Sequence, residues 1–290
     1  MLPWLHNLLV GKNWFKIGLR IAQNRSLPTL QNHTLHQWFL NYTQEKSAKK
    51  VYLFCDEYTN YYDTHIGKKA IFLLNKLGYE ILMIKHKESG RAYISKGFLK
   101  QAKVIATSNV RQFASLISDR IPLIGIEPSA ILSFRDEYPN LVDRSLKQQA
   151  IKLSKSVFLI EEFISNEIDA YRIVAESFTE KPKSVIFHGH CHQKALALTS
   201  STKNILELPY NYTANEINSG CCGMAGSFGY EEEHYDLSQK IANQVLFPEI
   251  KKMGPDTILV TNGTSCRHQI YDGLNIKSKH PIEVLYEALK

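Results

Sequence analysis

The organising stretch of this sequence is residues 218–229, which read NSGCCGMAGSFG. Its adjacent cysteines, Cys221 and Cys222, lie among glycines, which leave the backbone flexible and give a hydrophobic core no side chain to pack. Such a segment is a poor core strand and a good ligand loop, because the backbone can turn sharply and direct both sulfurs at one object. We interpret the loop as part of a metal centre.

The other cysteines favour a shared site. The chain of 290 residues has five cysteines, at positions 55, 191, 221, 222 and 266. No secretory signal is recognisable, so reduced thiols are expected instead of a disulfide framework. Cys191, Cys221, Cys222 and Cys266 follow predicted strands, where parallel sheets gather ligands. Cys55 has no such partners and is interpreted as a small buried hydrophobe.

Four thiolates suit either an iron-sulfur cluster or a tetrahedral zinc ion. The adjacent pair Cys221 and Cys222 favours a cluster, with [4Fe–4S] as the expected type, because neighbouring sulfurs reach different irons more easily than they wrap one zinc. Thiols that are merely packed in the interior remain the alternative.

Imidazole and cationic side chains surround two of these cysteines. The histidines could ligate, move protons or donate hydrogen bonds to sulfur, and a loop whose histidines only bond backbone groups is an equal alternative. The cationic side chains would lower the pKa of neighbouring thiols. This candidate supporting set is His188, His190, His192 and Lys194 around Cys191, and Arg267 and His268 after Cys266. No catalytic residue is assigned.

Strands and helices are predicted to alternate from residue 50 onward. The predicted strands are residues 51–55, 79–84, 104–106, 123–126, 185–187, 205–208 and 257–261. Residues 235–252 are predicted to form one long helix. This alternation favours parallel strands joined by crossover helices.

The alternation restarts near residue 184, which indicates an internal repeat. Phe54 and Phe187 are 133 positions apart, as are Gly90 and Gly223. In this register Tyr58 stands opposite Cys191, and each cysteine of the second half has a non-cysteine counterpart. The first half therefore has the repeated pattern of strands and helices but lacks the sulfur ligands. We expect it to have a structural or docking role.

The predicted fold is α/β, with two pseudo-symmetric Rossmann-like lobes that contain parallel sheets. A helical N-terminal lead-in precedes them, and its apolar side chains need a covering partner. The predicted divisions are a lead-in at 1–48, a first lobe at 49–143, a helical connector at 144–183 and a second lobe with the metal site at 184–290.

Charge and hydrophobicity restrict the binding partners and the cellular location that we expect for the chain. The net charge of +7 is spread without a long basic block, which argues against nucleic-acid binding. No apolar run reaches the length of a transmembrane helix. We therefore expect a cytoplasmic protein, with peripheral attachment to the inner face of a membrane as a variant of that expectation.

Six stretches together resemble a known family. They resemble the CCG-type cysteine-rich domain of heterodisulfide reductase B subunits and of glycolate and lactate oxidase iron-sulfur proteins. The resemblance is strongest to the C-terminal region of bacterial FAD-linked oxidases of the D-lactate and D-2-hydroxyglutarate dehydrogenase type. The stretches are residues 56–62 (DEYTNYY), 127–139 (EPSAILSFRDEYP), 188–196 (HGHCHQKAL), 219–231 (SGCCGMAGSFGYE), 265–270 (SCRHQI) and 280–285 (HPIEVL).

The resemblance implies an iron-sulfur electron-transfer module or subunit of a flavin-dependent 2-hydroxyacid dehydrogenase. FAD and a ferredoxin-type motif would lie on a partner domain or chain, and a quinone or another acceptor would receive the electrons. The chain would be inactive without that partner. A zinc-stabilised assembly domain and a heterodisulfide or thiol reductase subunit are the alternatives. Cys266 also lacks the C-x-x-C partner common in the family, which argues against a five-cysteine cluster.

Overall fold

The computed structural model describes residues 2–290, in which strands and helices alternate as predicted. The strands are β1 (Lys50–Phe54), β2 (Glu80–Leu82), β3 (Leu123–Gly125), β4 (Val157–Leu159), β5 (Lys183–His188), β6 (Tyr212–Glu216) and β7 (Thr257–Thr261). The helices are α1 (Pro3–Val10), α2 (Asn13–Gly18), α3 (Leu35–Leu40), α4 (Glu57–Tyr61), α5 (Thr64–Lys76), α6 (Arg91–Ser95), α7 (Leu99–Phe113), α8 (Pro128–Ile131), α9 (Tyr138–Leu141), α10 (Lys147–Ser154), α11 (Ile160–Asp169), α12 (Cys191–Leu196), α13 (Thr199–Leu206), α14 (Tyr235–Gln244), α15 (Leu246–Lys251), α16 (Thr264–Leu274) and α17 (Pro281–Glu287).

The strands form two parallel sheets of matching plan. The first sheet has the order β2-β1-β3-β4, and the second has the order β6-β5-β7. In the first, β1 pairs with β2 and β3, and in the second β5 pairs in the same way with β6 and β7. The α/β class and the parallel sheets are therefore confirmed.

The two sheets face each other across a shared layer of helices. Side chains that alternate along the central strands, such as Leu53 on β1 and Phe187 on β5, enter one apolar cluster. Helices α5, α11, α13 and α17 contribute many of the other side chains of that cluster. The opposite face of the first sheet packs Phe54 against Phe113 and Phe134. The halves thus share a core as well as a plan.

Some predicted elements differ from the structure. Residues 104–106 lie within α7, whose buried positions include Ala102, Ile105 and Ala106, and not in a strand. Residues 205–208 end α13, and the strand follows at β6. Short apolar runs do not distinguish a buried helix from a strand, which explains both errors. The predicted connector also contains β4, and the predicted long helix divides into α14 and α15 at Val245, whose φ is −140°.

The N-terminal part begins with helices, as predicted, and then crosses to the second half. Trp4, Leu8 and Trp14 on α1 and α2 are largely exposed, whereas Phe15 is half-buried. Beyond these helices, Ala22 donates its backbone N–H to the carbonyl of Tyr230 at 2.9 Å. Within residues 2–290, no helix is both long enough and apolar enough to cross a membrane.

Candidate metal centre

The cysteines of the second half follow three parallel strands at the same edge of one sheet. Cys191 is the first residue of α12, just after β5. Cys221 and Cys222 lie in the loop after β6, and Cys266 lies in the first turn of α16, just after β7. Because the carboxyl ends of parallel strands meet at one edge, the topology brings residues 75 positions apart into one place.

A left-handed glycine makes the turn of the cysteine loop. Gly223 has a φ of +96°, which side-chain-bearing residues rarely adopt, and a Cβ there would lie 2.3 Å from the carbonyl oxygen of Ser238. Its N–H donates to Cys221 Sγ at 3.3 Å. The turn therefore needs glycine at this position, both for its conformation and for its close packing.

The four thiols lie next to one another in the order Cys191, Cys221, Cys222 and Cys266, and we call this row the thiol chain. Cys191 is exposed, Cys221 is half-buried, and Cys222 and Cys266 are buried. The neighbouring thiols of Cys191 and Cys222 lower the pKa of Cys221, and the thiol of Cys222 lowers the pKa of Cys266. The same interactions raise the pKa values of Cys191 and Cys222. Cys222 and Cys266 also belong to an apolar cluster with Phe247.

His188 lies among these sulfurs. Its Nδ1 is 2.7 Å from Ser219 Oγ, while its buried Nε2 has no hydrogen-bond partner among residues 2–290. One ring nitrogen of His188 and the sulfurs of Cys222 and Cys266 lie within 4.8 Å of one another. The sequence analysis placed His188 in the supporting set around Cys191. The structure makes it a further candidate ligand, beside Cys222 and Cys266.

The other histidines of the candidate set have different surroundings. His190 Nδ1 accepts the N–H of His192 at 3.2 Å and so caps α12. His192 Nε2 lies 3.2 Å from Arg91 Nη1, on the first half of the chain. His268 Nδ1 lies 3.4 Å from Ser26 Oγ. Burial lowers the pKa of both His192 and His268, so the neutral ring is favoured at each.

The cationic members of the set bind backbone and carboxylate oxygens. Lys194 donates to the carbonyl of Ser219, just before the cysteine loop. Arg267 donates to Asp63 at 2.6 Å and to the carbonyl of Asn262 at 2.7 Å. Both side chains thus hold the backbone that carries the cysteines.

A cavity of about 550 Å³ lies in front of the thiols and extends to the first half of the chain. Cys191, Cys221 and Cys222 line it on one side, and first-half residues line the other. The first-half and N-terminal wall includes Pro28, Tyr58, Tyr62, Arg91, Lys96, Glu127 and Ser129. Glu127 and Ser129 therefore line the same cavity as three of the cysteines. Arg91 also pairs with Glu137 at its edge.

The equivalent place in the first half is filled by a hydrogen-bonded pair. Glu57 and Cys191 are each the first residue of a helix after a central strand, so Glu57, and not Tyr58, corresponds to Cys191. Ser89, which precedes the left-handed Gly90, donates its N–H and Oγ to the Glu57 carboxylate at 2.8 and 2.6 Å. The strands show the same one-residue shift, because Leu53 and Phe187, and not Phe54 and Phe187, face the shared core.

An arginine that sequence analysis did not select stabilises the cysteine loop. Arg25 is fully buried; its Nε donates to the carbonyl of Gly229 at 2.6 Å and its Nη2 to Ser238 Oγ at 2.8 Å. Its Nη1 lies 3.5 Å from Asp272. Nothing in the local sequence marks this arginine, because its partners are more than 200 positions away.

The donor set fits a soft metal ion or cluster. Four neighbouring thiols and the ring of His188 come together at one edge of the second sheet, beside the cavity that Cys191, Cys221 and Cys222 line. Sulfur-rich sets of this kind suit zinc or iron-sulfur centres better than oxygen-seeking ions. Cys55 lies elsewhere, in the apolar cluster shared by the two sheets, as expected for a small buried hydrophobe.

Comparison with known proteins identifies one matching family and several similar proteins. Residues 185–271 match the CCG family, described as a cysteine-rich domain. The chain is 28% identical to one of the subunits of the anaerobic glycerol-3-phosphate dehydrogenase of Escherichia coli (strain K12), over 94% of this chain and 68% of that protein. It is 27% identical to the D-2-hydroxyglutarate dehydrogenase of Haemophilus influenzae, over 83% of this chain and 23% of that protein. It is 24% identical to lactate utilization protein A of Bacillus subtilis (strain 168), over 81% and 98%.

The family match covers the strands β5 to β7 and every cysteine of the thiol chain. The similarity to the dehydrogenase proteins extends beyond it to most of the chain, although the chain spans less than a quarter of the Haemophilus protein. Residues 185–271 of this chain thus match the cysteine-rich domain of the CCG family.

Proposed function

We propose that this chain is an iron-sulfur electron-transfer module or subunit of a flavin-dependent dehydrogenase. The proposed ligands are Cys191, Cys221, Cys222 and Cys266. The observation that carries the proposal is the row of four neighbouring thiols at the edge of the second sheet, within the segment that matches the CCG domain. The names of the relatives, two dehydrogenases and a lactate utilization protein, support the electron-transfer role.

The chain's own residues would bind the cluster and set its surroundings. An iron-sulfur cluster supplies one-electron transfer at a potential that depends on hydrogen bonds, charge and burial. His188 would approach the buried sulfurs of Cys222 and Cys266, and the apolar cluster around Phe247 would exclude water from them. The exposed side of Cys191 would face the cavity, through which a redox partner can approach.

A flavin-containing partner is part of the proposal. The chain corresponds to about a quarter of the D-2-hydroxyglutarate dehydrogenases, so FAD and ferredoxin-type motifs are expected on another domain or chain. The exposed apolar side chains Trp4, Leu8 and Trp14 support a docking role for α1 and α2. The same N-terminal region carries Lys12 and Arg20, which would also suit peripheral attachment to an anionic membrane surface. The acceptor is proposed to be a quinone or another small redox carrier at the cavity.

Metal analysis tests the proposal. Protein purified or reconstituted without oxygen should contain iron and acid-labile sulfide and should show the visible absorbance of thiolate-bound iron. About one zinc ion and no iron per chain would instead favour a zinc-stabilised assembly domain, which chelators should then unfold. A cluster with disulfide reduction at the cavity would favour the reductase alternative.

Paired cysteine variants test the ligand assignment. Cys222→Ser replaces a buried soft donor in the middle of the thiol chain, so it should lower both metal content and thermal stability. Cys55→Ala is the matched control, since Cys55 lies in the apolar core of the first half, and metal content should be unchanged. Loss of metal in the control variant, or full retention in Cys222→Ser, would overturn the assignment.

A further inference from the structure

We infer that the first half of the chain positions Cys266, through Glu127 and Asp63, by capping the start of helix α16. The inference rests on the proposed metal site, in which Cys266 is a ligand. It assigns the first half, which lacks the ligand cysteines, a structural role at the proposed metal centre. Each step depends on contacts between residues that are far apart in the sequence.

Helix α16 cannot cap itself. Its N-cap residue is Gly263, which has no side chain to accept the free N–H groups of the first turn. A side chain at this position is excluded, because a Cβ on Gly263 would lie 2.3 Å from Cδ2 of His190. Because His190, which itself caps α12, packs closely against Gly263, no residue with a capping side chain fits at the N-cap of α16.

Glu127 supplies the missing cap from the first half. Its carboxylate is nearly fully buried, and Oε2 accepts the backbone N–H of Thr264, the first residue of α16, at 2.8 Å. Its Oε1 accepts from Ser129 Oγ at 2.8 Å and from the Ser129 N–H at 3.3 Å, which caps α8. Helices α8 and α16 follow β3 and β7, the corresponding strands of the two sheets. One carboxylate therefore joins the starts of two pseudo-equivalent helices.

Asp63 fixes the other side of the same turn. It accepts from Thr264 Oγ1 at 2.7 Å and from Arg267 Nη2 at 2.6 Å. Arg267 in turn donates Nη1 to the carbonyls of Thr261 and Asn262, at the end of β7. The end of β7 and the first turn of α16 are thus tied to one carboxylate of the first half.

Cys266 is the third residue of α16, so its sulfur moves with that first turn. Loss of the cap should therefore loosen the position of Cys266 without removing any sulfur. Glu127 also lines the cavity beside Cys191 and Cys222, so its charge should act on the centre as well as its hydrogen bond. Glutamine keeps one acceptor oxygen, for the Thr264 N–H, and removes the charge and the second acceptor, whereas alanine removes both oxygens and the charge.

Amide hydrogen exchange in chelator-treated protein tests the positioning independently of any cluster. Glu127→Ala should speed the exchange of the amides of residues 264–267 by about tenfold, whereas Glu127→Gln should leave it within about twofold of the wild-type rate. The matched control is Glu287→Gln, which removes another contact between the halves, that of Glu287 with Lys69, away from the cavity lining. Exchange at 264–267 should be unchanged in this control.

The reconstituted protein gives the second measurement. Glu127→Ala should lose metal to a chelator faster than wild type. Glu127→Gln should retain it and show a more positive midpoint potential, because removing a negative charge favours the reduced centre. Glu287→Gln should match wild type in both respects. A structural role alone would not shift the potential in a variant with normal exchange.

The outcomes separate this inference from the proposed function. Wild-type exchange at 264–267 in a folded Glu127→Ala variant would overturn the positioning role, whatever metal is bound. If Glu127→Ala does not fold, Asp63→Ala, which removes the acceptor for Thr264 Oγ1 and Arg267, should raise exchange at the same amides, and normal exchange there would overturn the role equally. Absence of iron from the wild-type protein would instead contradict the proposed function while leaving the exchange result interpretable.

Discussion

Glu161 is a carboxylate with no exposed surface that lies where the two halves of the chain meet. Asn262 donates Nδ2 to its Oε1 at 2.9 Å, and the buried His280 has its Nε2 3.7 Å from the same oxygen. Its Oε2 has no hydrogen-bond partner among residues 2–290. Burial raises the pKa of Glu161 to about 7, with smaller contributions from the negative charges of Glu162 and Glu127.

The raised pKa of Glu161 predicts a pH-dependent stability. The native state holds this proton up to about pH 7, whereas the unfolded chain releases it near its ordinary value of 4.5. The free energy of unfolding should therefore fall as the pH rises between these values, by up to about 3 kcal/mol, and level off above pH 7. Glu161→Gln cannot ionise and should show a smaller loss of stability between pH 5 and pH 8.

Urea unfolding at the two pH values measures the effect of Glu161. Glu249→Gln is a suitable control, because Glu249 forms an exposed ion pair with Lys252 and should keep the wild-type dependence. An equal loss of stability in Glu161→Gln and wild type would show that another group causes the dependence.

At the scale of elements, the N-terminal segment is part of the metal-bearing half. We call residues 20–28 the N-terminal strap. The strap pairs Ile21 with Glu231, bonds Ala22 to Tyr230, and inserts Arg25 behind the cysteine loop. Helices α1 and α2, which precede it, expose most of their large apolar side chains. One segment therefore combines a tightly bound strap with an exposed pair of helices.

Two truncations should separate these parts. Removing residues 2–18 deletes mainly exposed side chains and should change the unfolding free energy by less than about 1 kcal/mol. Removing residues 2–28 also deletes Arg25 and leaves the buried Asp272 without its guanidinium partner, so the loss should be about 3 to 5 kcal/mol. Thermal or urea unfolding of both proteins measures the difference. Equal stability of the two truncated chains would mean that the strap contributes nothing to the fold.

At the scale of the whole molecule, the shared helical layer makes the two sheets mutually dependent. Leu53 and Phe187, from the central strands of different sheets, belong to one apolar cluster. Asp63 and Glu127 then carry the connection to the start of α16. The first half thus supports the second through its core and through the cavity wall.

The isolated chain should not be a complete dehydrogenase. Electron transfer needs a flavin held close to the cluster, and this chain corresponds to only part of the longer relatives. We expect no oxidation of D-lactate, D-2-hydroxyglutarate or glycerol 3-phosphate above the no-protein rate, even with added FAD and an artificial electron acceptor. Addition of a flavin-containing partner should restore turnover. Turnover by the purified chain alone would contradict the subunit proposal.

The amino-acid sequence was sufficient to predict the parallel α/β plan and the positions of Cys191 and Cys266 after strands of one half, whereas the strand before Cys221, which is β6, was predicted too early, at 205–208. These features are local, since strand periodicity, helix starts and glycine-rich loops each depend on a few neighbouring residues. The same local patterns failed where they are ambiguous, as in the apolar run at 104–106, which is part of α7. The sequence repeat predicted Tyr58 as the counterpart of Cys191 in the first half. In the structure the counterpart is Glu57, one residue earlier.

The side chains that surround the thiols depend on tertiary contacts that local sequence patterns do not predict. Arg25 bonds a carbonyl 204 positions away, and Glu127 caps a helix 137 positions away. The position of the His188 ring near Cys222 and Cys266 depends on the packing of three separate segments. No periodicity in the sequence predicts such contacts, because they depend on how the two halves pack around their shared core.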